Sequence, residues 1–316
     1  MRVLLTGSSG WLGRALAPRL RQEGHVVIGL DVAPGPDTTI VGSVADPAAV
    51  ETAFAHGIDA VIHSAALHKP DIARYGEQAF IDVNVTGTLN LLRAALAAGN
   101  DRFVFTSTTS LMISQAIRDE TSARAVWLDE DSGPLAPRNI YGVTKLAAEG
   151  LCRLYATDHG LPCVVLRTAR FFPEDDDTIV HTDAQNLKAV EFLHRRLTVE
   201  DAAQAHVVAL EQAPRLGFDT FVISAPTPFD RADADELKRD AAAVIARHYP
   251  DAPALFARAG WRLPSSLGRV YDARRAEARM GFHCRTDFAA VLDALRRGGP
   301  LPFAHDPGYL SPKEAR

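Results

Sequence analysis

Short apolar runs alternate with longer stretches of helical period through the first half of the chain. Residues 3–5 read as a strand, Trp11–Gln22 as a helix and residues 25–30 as a second strand. Pro47–Phe54 has helical spacing, Ala60–His63 is again apolar and short, and residues 77–98 form one long helical stretch before a strand at 102–106. Residues 141–159 read as another long helix, followed by a strand at 163–167. Strands separated by helices imply parallel crossovers. Near-continuous apolar strands imply a sheet covered on both faces. The expected fold class is α/β, a Rossmann-type doubly wound parallel sheet.

Beyond Arg170 the pattern changes. Residues 171–196 look irregular and polar, 199–212 helical and 220–224 like a strand returning to the main sheet. From Ala225 onward come helices and proline-bearing loops. The expected organisation is a dinucleotide-binding unit of residues 1–170, rejoined by 198–224, with 171–197 and 225–316 as a smaller substrate-binding lobe. No internal repeat or low-complexity segment is visible.

Composition narrows the class. The 316 residues are 47% hydrophobic and 23% charged, the mix of a packed globular protein. A net charge of −5 gives no footing for nucleic acid or an anionic membrane. The three cysteines, Cys152, Cys163 and Cys284, have no Cys-x-x-Cys spacing, against both a disulfide framework and a zinc site. No leader pattern precedes the first strand and no apolar run has membrane-spanning length, so the expected location is the cytoplasm.

The first strand runs into Thr6-Gly7-Ser8-Ser9-Gly10-Trp11-Leu12-Gly13. Gly7 suits a tight turn, Gly10 a close approach of backbone to a pyrophosphate, and Gly13 close packing of helix on sheet. The amides of the following helix then face the phosphates. Asp31 ends the second strand, where a carboxylate accepts from both ribose hydroxyls and repels a 2′-phosphate; no arginine follows in Val32-Ala33-Pro34-Gly35. The preferred cofactor is NAD rather than NADP.

The glycine turn, together with Tyr141-Gly142-Val143-Thr144-Lys145, resembles the extended short-chain dehydrogenase/reductases, in particular the NAD-dependent epimerase/dehydratase branch. The resemblance extends to about Ser224. It implies that Asp46, in Gly42-Ser43-Val44-Ala45-Asp46, contacts adenine, and that Ala65 and Ala66, in Val61-Ile62-His63-Ser64-Ala65-Ala66, line the cofactor. It gives Asn84, in Asn84-Val85-Thr86-Gly87-Thr88, a place among the cofactor-binding residues with Trp11 and Leu12. Phe103-Val104-Phe105-Thr106-Ser107-Thr108 resembles the strand carrying the catalytic hydroxyl. That register assigns Thr108, and Ser107, Thr109 and Ser110 leave room for a one-residue slip.

Tyr141 and Lys145 stand four apart and share one helix face. The resemblance makes Tyr141 the general base, Lys145 the group that lowers its pKa and holds the nicotinamide ribose, and Thr108 the group that orients the substrate oxygen. Thr109 is expected beside it on the substrate. The chain departs from the family at Leu111-Met112-Ile113, where many relatives carry Tyr-Gly, and at Arg170, where many carry Asn. Arg170 has two readings: it meets an anionic part of the substrate, or it forms a loop ion pair with Glu174 or Asp175.

Other features have plainer readings. Glu191 and His194 have carboxylate-site spacing without a second copy, so a solvated helix face is expected and no metal site. His63 is expected in the core or beside the cofactor. His68 or Lys69 either reaches the pyrophosphate or stands in an ordinary loop. Residues 174–177 read as a solvated loop, and 127–131 as pocket lining or loop staple. The leading expectation is an oxidoreductase or epimerase of a sugar-type substrate, a nucleotide sugar first. The alternative is a dehydrogenase of a free sugar, sugar acid or other small alcohol, with a non-catalytic NAD sensor behind both. The helices at 77–98 and 141–159 are expected to pair with those of a second copy in a homodimer.

Overall fold

The computed structural model describes residues 1–173 and 183–304. In chain order the elements are β1 (Arg2–Thr6), α1 (Trp11–Gln22), β2 (Val26–Asp31), β3 (Ile40–Val41), α2 (Pro47–Phe54), β4 (Ala60–His63), α3 (Glu77–Phe80), α4 (Gly87–Ala97) and β5 (Phe103–Thr108). There follow α5 (Gln115–Arg118), β6 (Val126–Leu128), α6 (Ile140–His159), β7 (Cys163–Thr168), α7 (Ala184–Glu191), α8 (Val199–Leu216) and β8 (Phe218–Ile223). The last elements are α9 (Ala234–His248), α10 (Ala252–Arg258), β9 (Arg269–Tyr271) and α11 (Phe288–Arg297).

Seven strands form one parallel sheet in the order β3-β2-β1-β4-β5-β7-β8. Both faces are covered, so alternate residues of each strand enter different cores. Val3 and Leu5 of β1 pack with Leu16 and Leu20 of α1 and with Leu210 of α8 in one apolar cluster. Leu4 joins Leu91 and Leu92 of α4 and Cys152 and Tyr155 of α6 in the cluster on the other face. The strand order changes direction between β1 and β4. Beyond their carboxyl ends lies the crevice where open α/β sheets take their ligands.

The stretch expected as one helix at 77–98 is broken. Between α3 and α4 the chain makes a π-helical turn over Ile81–Thr86, and Asn84 in that turn is buried. Inserting a residue in this way rotates the side chains that follow, a device frequent at functional sites.

The expected irregular, polar stretch at 171–196 is also corrected. It contains α7, and Ala189, Val190, Phe192 and Leu193 are buried in a separate apolar core. That core also holds Leu237, Val244, Phe256, Phe288 and Leu292 of the C-terminal helices, together with Ala125. A small parallel pair, β6 with β9, joins this lobe to the segment that precedes α6. Glu191 and His194 are not on a solvated face: they are 1% and 6% exposed. Glu191 forms an ion pair with Arg196 at 2.8 Å, and His194 Nδ1 meets the Arg269 carbonyl at 2.9 Å. A polar-looking sequence here encodes buried side chains in which Glu191 is paired with Arg195 and Arg196.

Candidate active site

The glycine turn is as tight as its residues allow. Gly7 has φ +73°, and a Cβ there would stand 2.9 Å from the Ala65 nitrogen. A Cβ on Gly13 would stand 2.2 Å from the Gly7 carbonyl oxygen, so only glycine lets α1 begin this close to the strand. Gly10 caps α1 and donates its amide to the Gly7 carbonyl at 3.1 Å. Asp31 accepts from the Ser9 amide at 2.9 Å and the Ala33 amide at 2.9 Å, which fixes the carboxylate at the rim of the turn.

A cavity of about 550 Å³ opens over this turn. Gly7, Gly10, Trp11, Leu12, Gly13 and Asp31 line it, as do Ala65 and Ala66 after β4. Asp46 does not. Its carboxylate caps α2 through the Ala48 amide at 3.0 Å, and Gly42, Ser43 and Val44 form the wall at that end. Asn84 does not line it either. Its Oδ1 accepts from the Leu67 amide at 2.9 Å, and its Nδ2 donates to the Leu67 carbonyl and to Thr144 Oγ1, each at 3.1 Å. The π turn thus places Asn84 as a clip between the loop after β4 and the helix that carries Tyr141.

A hydrogen-bonded chain runs behind this wall. The Thr88 hydroxyl donates to the Asn84 carbonyl at 2.7 Å, so it accepts from His63 Nε2 at 3.0 Å. His63 Nδ1 is then the acceptor for the Thr6 hydroxyl at 2.8 Å, and Thr6 Oγ1 receives the Ala65 amide at 3.1 Å. Burial pushes the His63 pKa well below its ordinary value, as this neutral tautomer requires. His63 is a core residue beside the cofactor wall, in line with the sequence reading.

Thr108 ends β5, Tyr141 and Lys145 stand on α6, and none of the three lines the cavity. The Thr108 hydroxyl accepts from the Ser110 amide at 3.1 Å. Tyr141 and Lys145 are 6% and 2% exposed on the same face of α6, whose start is capped by Asn139 through the Gly142 amide. Lys145 Nζ lies 4.2 Å from the centroid of the Phe105 ring. Thr109 turns away: its hydroxyl donates to the Thr168 carbonyl at 3.3 Å and the residue is buried. Arg170 follows β7, with its backbone bridged to Arg196. Glu174 and Asp175, its suggested ion-pair partners, lie outside the described residues.

The expected depression of the Tyr141 pKa is reversed. Burial pushes the phenol up to about 12, the Thr108 hydroxyl offsets part of this, and the Asp71 carboxylate adds to it. Burial likewise brings Lys145 down to about 7, with Cys152 and Glu149 pulling the other way. Sequence spacing gives the shared face but not the desolvation of both groups.

The lysine shift has a consequence for stability. An unfolded lysine titrates near 10.4, so between pH 7 and 10 the unfolded chain binds more protons and stability rises with pH. The contribution is lost as pH falls through the folded value. Urea unfolding should show wild type gaining about 2 kcal/mol on Lys145→Met between pH 7 and 9. A difference independent of pH would mean that the ammonium is not desolvated.

Sequence reasoning missed the strap after β7. Phe171 and Phe172 line the cavity, with rings stacked at 4.6 Å between centroids. Three successive carbonyls of this strap are held: that of Phe171 by Trp11 Nε1 at 3.2 Å, that of Phe172 by Arg196 Nη2 at 2.7 Å, and that of Pro173 by Lys188 Nζ at 2.6 Å. Adjacent aromatic residues were the only signal, and their partners lie far away in sequence. His68 also lines the cavity, its ring 5.7 Å from that of Tyr141 and 5.5 Å from that of Phe172, while Lys69 is exposed. Among the described residues no cluster of His, Cys, Asp and Glu could hold a metal ion, and no helix is long and apolar enough to cross a membrane.

The profile of the NAD dependent epimerase/dehydratase family matches residues 3–224. The chain belongs to that family. It is an NAD-dependent enzyme of the short-chain dehydrogenase/reductase type, and the glycine cradle and Asp31 fit the cofactor. It is similar to the L-arabinose 1-dehydrogenase (NAD(P)(+)) of Haloferax volcanii, 36% identical over 180 residues, 55% of this chain and 69% of that protein. The UDP-glucose 4-epimerase of Rhizobium meliloti is 33% identical over 173 residues, 52% of this chain and 50% of its own length. The alignments with curated relatives thus span from about half to 69% of those proteins. A short-chain dehydrogenase/reductase superfamily protein from Agrobacterium tumefaciens, solved with bound NAD, superimposes with TM-score 0.64 at 25% identity, covering 94% of this chain and 98% of that one.

Proposed function

We propose that this enzyme is an NAD-dependent dehydrogenase of a small free sugar or sugar acid. The carrying observation is the similarity to the L-arabinose 1-dehydrogenase, 36% identical over 180 residues, while the cavity of about 550 Å³ lined by the glycine turn and Asp31 has the size of a cofactor site. The L-arabinose 1-dehydrogenase of Haloferax volcanii and the uronate dehydrogenase of Pseudomonas putida, 29% identical over 182 residues, support this reading. Epimerisation of a nucleotide sugar is the second reading, supported by the similarity to the Rhizobium meliloti epimerase. We assign the cofactor to the 1–170 and 198–224 unit and the substrate side to 171–197 and 225–316.

In the proposed mechanism Tyr141 removes the hydroxyl proton of the substrate as general base. Thr108 donates to the same oxygen and holds it against the phenol. Lys145 supplies positive charge that stabilises the phenolate and holds the nicotinamide ribose. Asp31 accepts from the adenosine ribose, and the glycine turn admits the pyrophosphate. Bound NAD supplies the hydride acceptor. Arg170 receives an anionic part of the substrate, as a sugar acid would offer. The deciding experiment incubates the enzyme with NAD and free sugars, sugar acids and nucleotide sugars. NADH formation with a free sugar or sugar acid supports the dehydrogenase. Conversion of a nucleotide sugar without NADH release replaces it with the epimerase.

Two predictions accompany this reading. Calorimetric titration should give tighter binding of NAD than of NADP, because a 2′-phosphate would face Asp31 at the rim; tighter NADP binding would reject that role. Light scattering at micromolar concentration should give twice the 34.1 kDa chain mass. Val143 and Leu154 on α6 are 48% and 44% exposed, and Ile81 and Leu96 on the neighbouring segment are 40% and 37% exposed, as faces of paired helices would be. A monomeric mass removes the dimer.

A further inference from the structure

β5 runs on past the end of β4. The register of the two strands ends at His63 beside Phe105, and Thr106 is the first residue of β5 beyond that pairing. Thr106 lines the cavity there and is 8% exposed. Its hydroxyl meets Nε2 of His206, a fully buried residue of α8, at 2.7 Å. His206 Nδ1 stands 2.7 Å from the Ala202 carbonyl one turn earlier. A carbonyl only accepts, so Nδ1 carries the proton of the imidazole. Burial brings this ring down to about 4, with the Ala202 carbonyl pulling the other way, so at neutral pH Nε2 is a bare lone pair. The Thr106 hydroxyl therefore donates to Nε2. Its one proton is committed inside the fold, and its oxygen meets any further partner as an acceptor only.

We propose that Thr106 binds the nicotinamide half of the cofactor, its oxygen accepting from the carboxamide N–H, and that His206 is its positioning residue. The place of Thr106 in the cavity supports this half. Asp31 and the Gly42–Val44 wall stand at the adenosine end, whereas Thr106 lies two residues before Thr108 on the same face of β5. The donors that the cofactor offers at this end are the carboxamide amine and the ribose hydroxyls, and the ribose is assigned to Lys145 above. An oxygen with no proton to give is repelled by the carboxamide oxygen and takes its amine. It thus distinguishes two ends of a group that are alike in shape. Fixing the carboxamide sets the rotation of the nicotinamide ring about its ribose, and with it the ring face turned to the substrate. His206 holds the Thr106 proton so that the hydroxyl does not turn round and donate. The inference rests on the roles given above to Asp31 and Lys145, and it is the same for a dehydrogenase and an epimerase.

The test compares NAD with its acetylpyridine analogue, in which a methyl group replaces the carboxamide amine, and with ADP-ribose, which lacks the ring. By calorimetry the wild-type enzyme should bind NAD about three- to tenfold more tightly than the analogue, the scale of one hydrogen bond between neutral groups. Thr106→Val should bring that ratio to about one and leave ADP-ribose affinity unchanged, and Thr106→Ser should restore the ratio. No preference in wild type, or a preference that survives Thr106→Val, overturns the proposal. So does a loss of ADP-ribose affinity, which would put Thr106 against the ribose or the phosphates. Long-range ¹H–¹⁵N spectra of histidine-labelled wild-type enzyme, with His206→Phe as the assignment control, read the same contact without altering Thr106. They should show His206 protonated at Nδ1, with its Nε2 resonance moved by NAD and left in place by the analogue. The opposite tautomer, or equal shifts with both cofactors, overturns it. Tighter binding of NADP with the Thr106-dependent ratio intact removes Asp31 from the adenosine ribose and leaves Thr106 in place.

Discussion

Replacing Glu149 with Ala should lower the stability of the fold by about 3–5 kcal/mol. Glu149 lies one turn beyond Lys145 on α6 and is 6% exposed. Its carboxylate receives the Ser107 hydroxyl from β5 at 2.6 Å and the Arg167 guanidinium from β7 through Nε at 3.1 Å and Nη2 at 2.8 Å. One side chain thus joins the catalytic helix to the two strands that end at the site. Arg167 is itself 6% exposed, and its Nη1 has no hydrogen-bond partner even with Glu149 present. Removing the carboxylate leaves an uncompensated charge inside, which is where the cost arises. For a chain of this size the melting temperature should fall by on the order of 10 °C. Glu149→Leu combined with Arg167→Met removes both charges, and most of the loss should be recovered, since a buried pair adds little over well-packed apolar groups. A melting temperature within 2–3 °C of wild type for Glu149→Ala would show that water reaches Arg167.

What was legible in the sequence follows from what is local. The turn from Gly7 to Gly13 needs residue types that only a close backbone approach explains, and its place between β1 and α1 is set by adjacent residues. The same holds for Tyr141 and Lys145, whose common face is a matter of helical period, and for the alternation that sends Leu4 and Leu5 to opposite faces of the sheet. The misread features depend on partners distant in sequence. Glu191 looks solvated until Arg196 and the lobe core enclose it. The strap at Phe171 and Phe172 has no local signature, because Trp11, Lys188 and Arg196 hold it from three other parts of the chain. The direction of the Tyr141 shift belongs to the same class: spacing gives a lysine on the same helix face, while only the packed structure gives the desolvation and the Asp71 carboxylate that raise the phenol.

Replacing Tyr141 with Phe should leave NAD affinity within about twofold and lower turnover a hundredfold or more, the usual scale for one proton-transfer group. The ring is buried against His68 and keeps its shape in the variant, and only the phenolic oxygen is lost. The protein environment makes that oxygen hard to ionise. Burial holds the phenol at about 12, and the nearby Asp71 carboxylate also opposes a negative charge. Burial also brings Lys145 down to about 7, which weakens its hold on a proton in the cofactor-free enzyme. Both shifts oppose charge at this site, and an oxidised nicotinamide bound here would add positive charge beside the phenol. Difference absorbance between wild type and Tyr141→Phe isolates this one phenol. Without NAD it should ionise only above pH 11, and with saturating NAD the transition should move down by at least two pH units. That direction follows from the sign of an added positive charge, which favours the phenolate. A transition below pH 9 in the free enzyme would show that Lys145 alone activates the base, and near-normal turnover of Tyr141→Phe would remove Tyr141 from the chemistry.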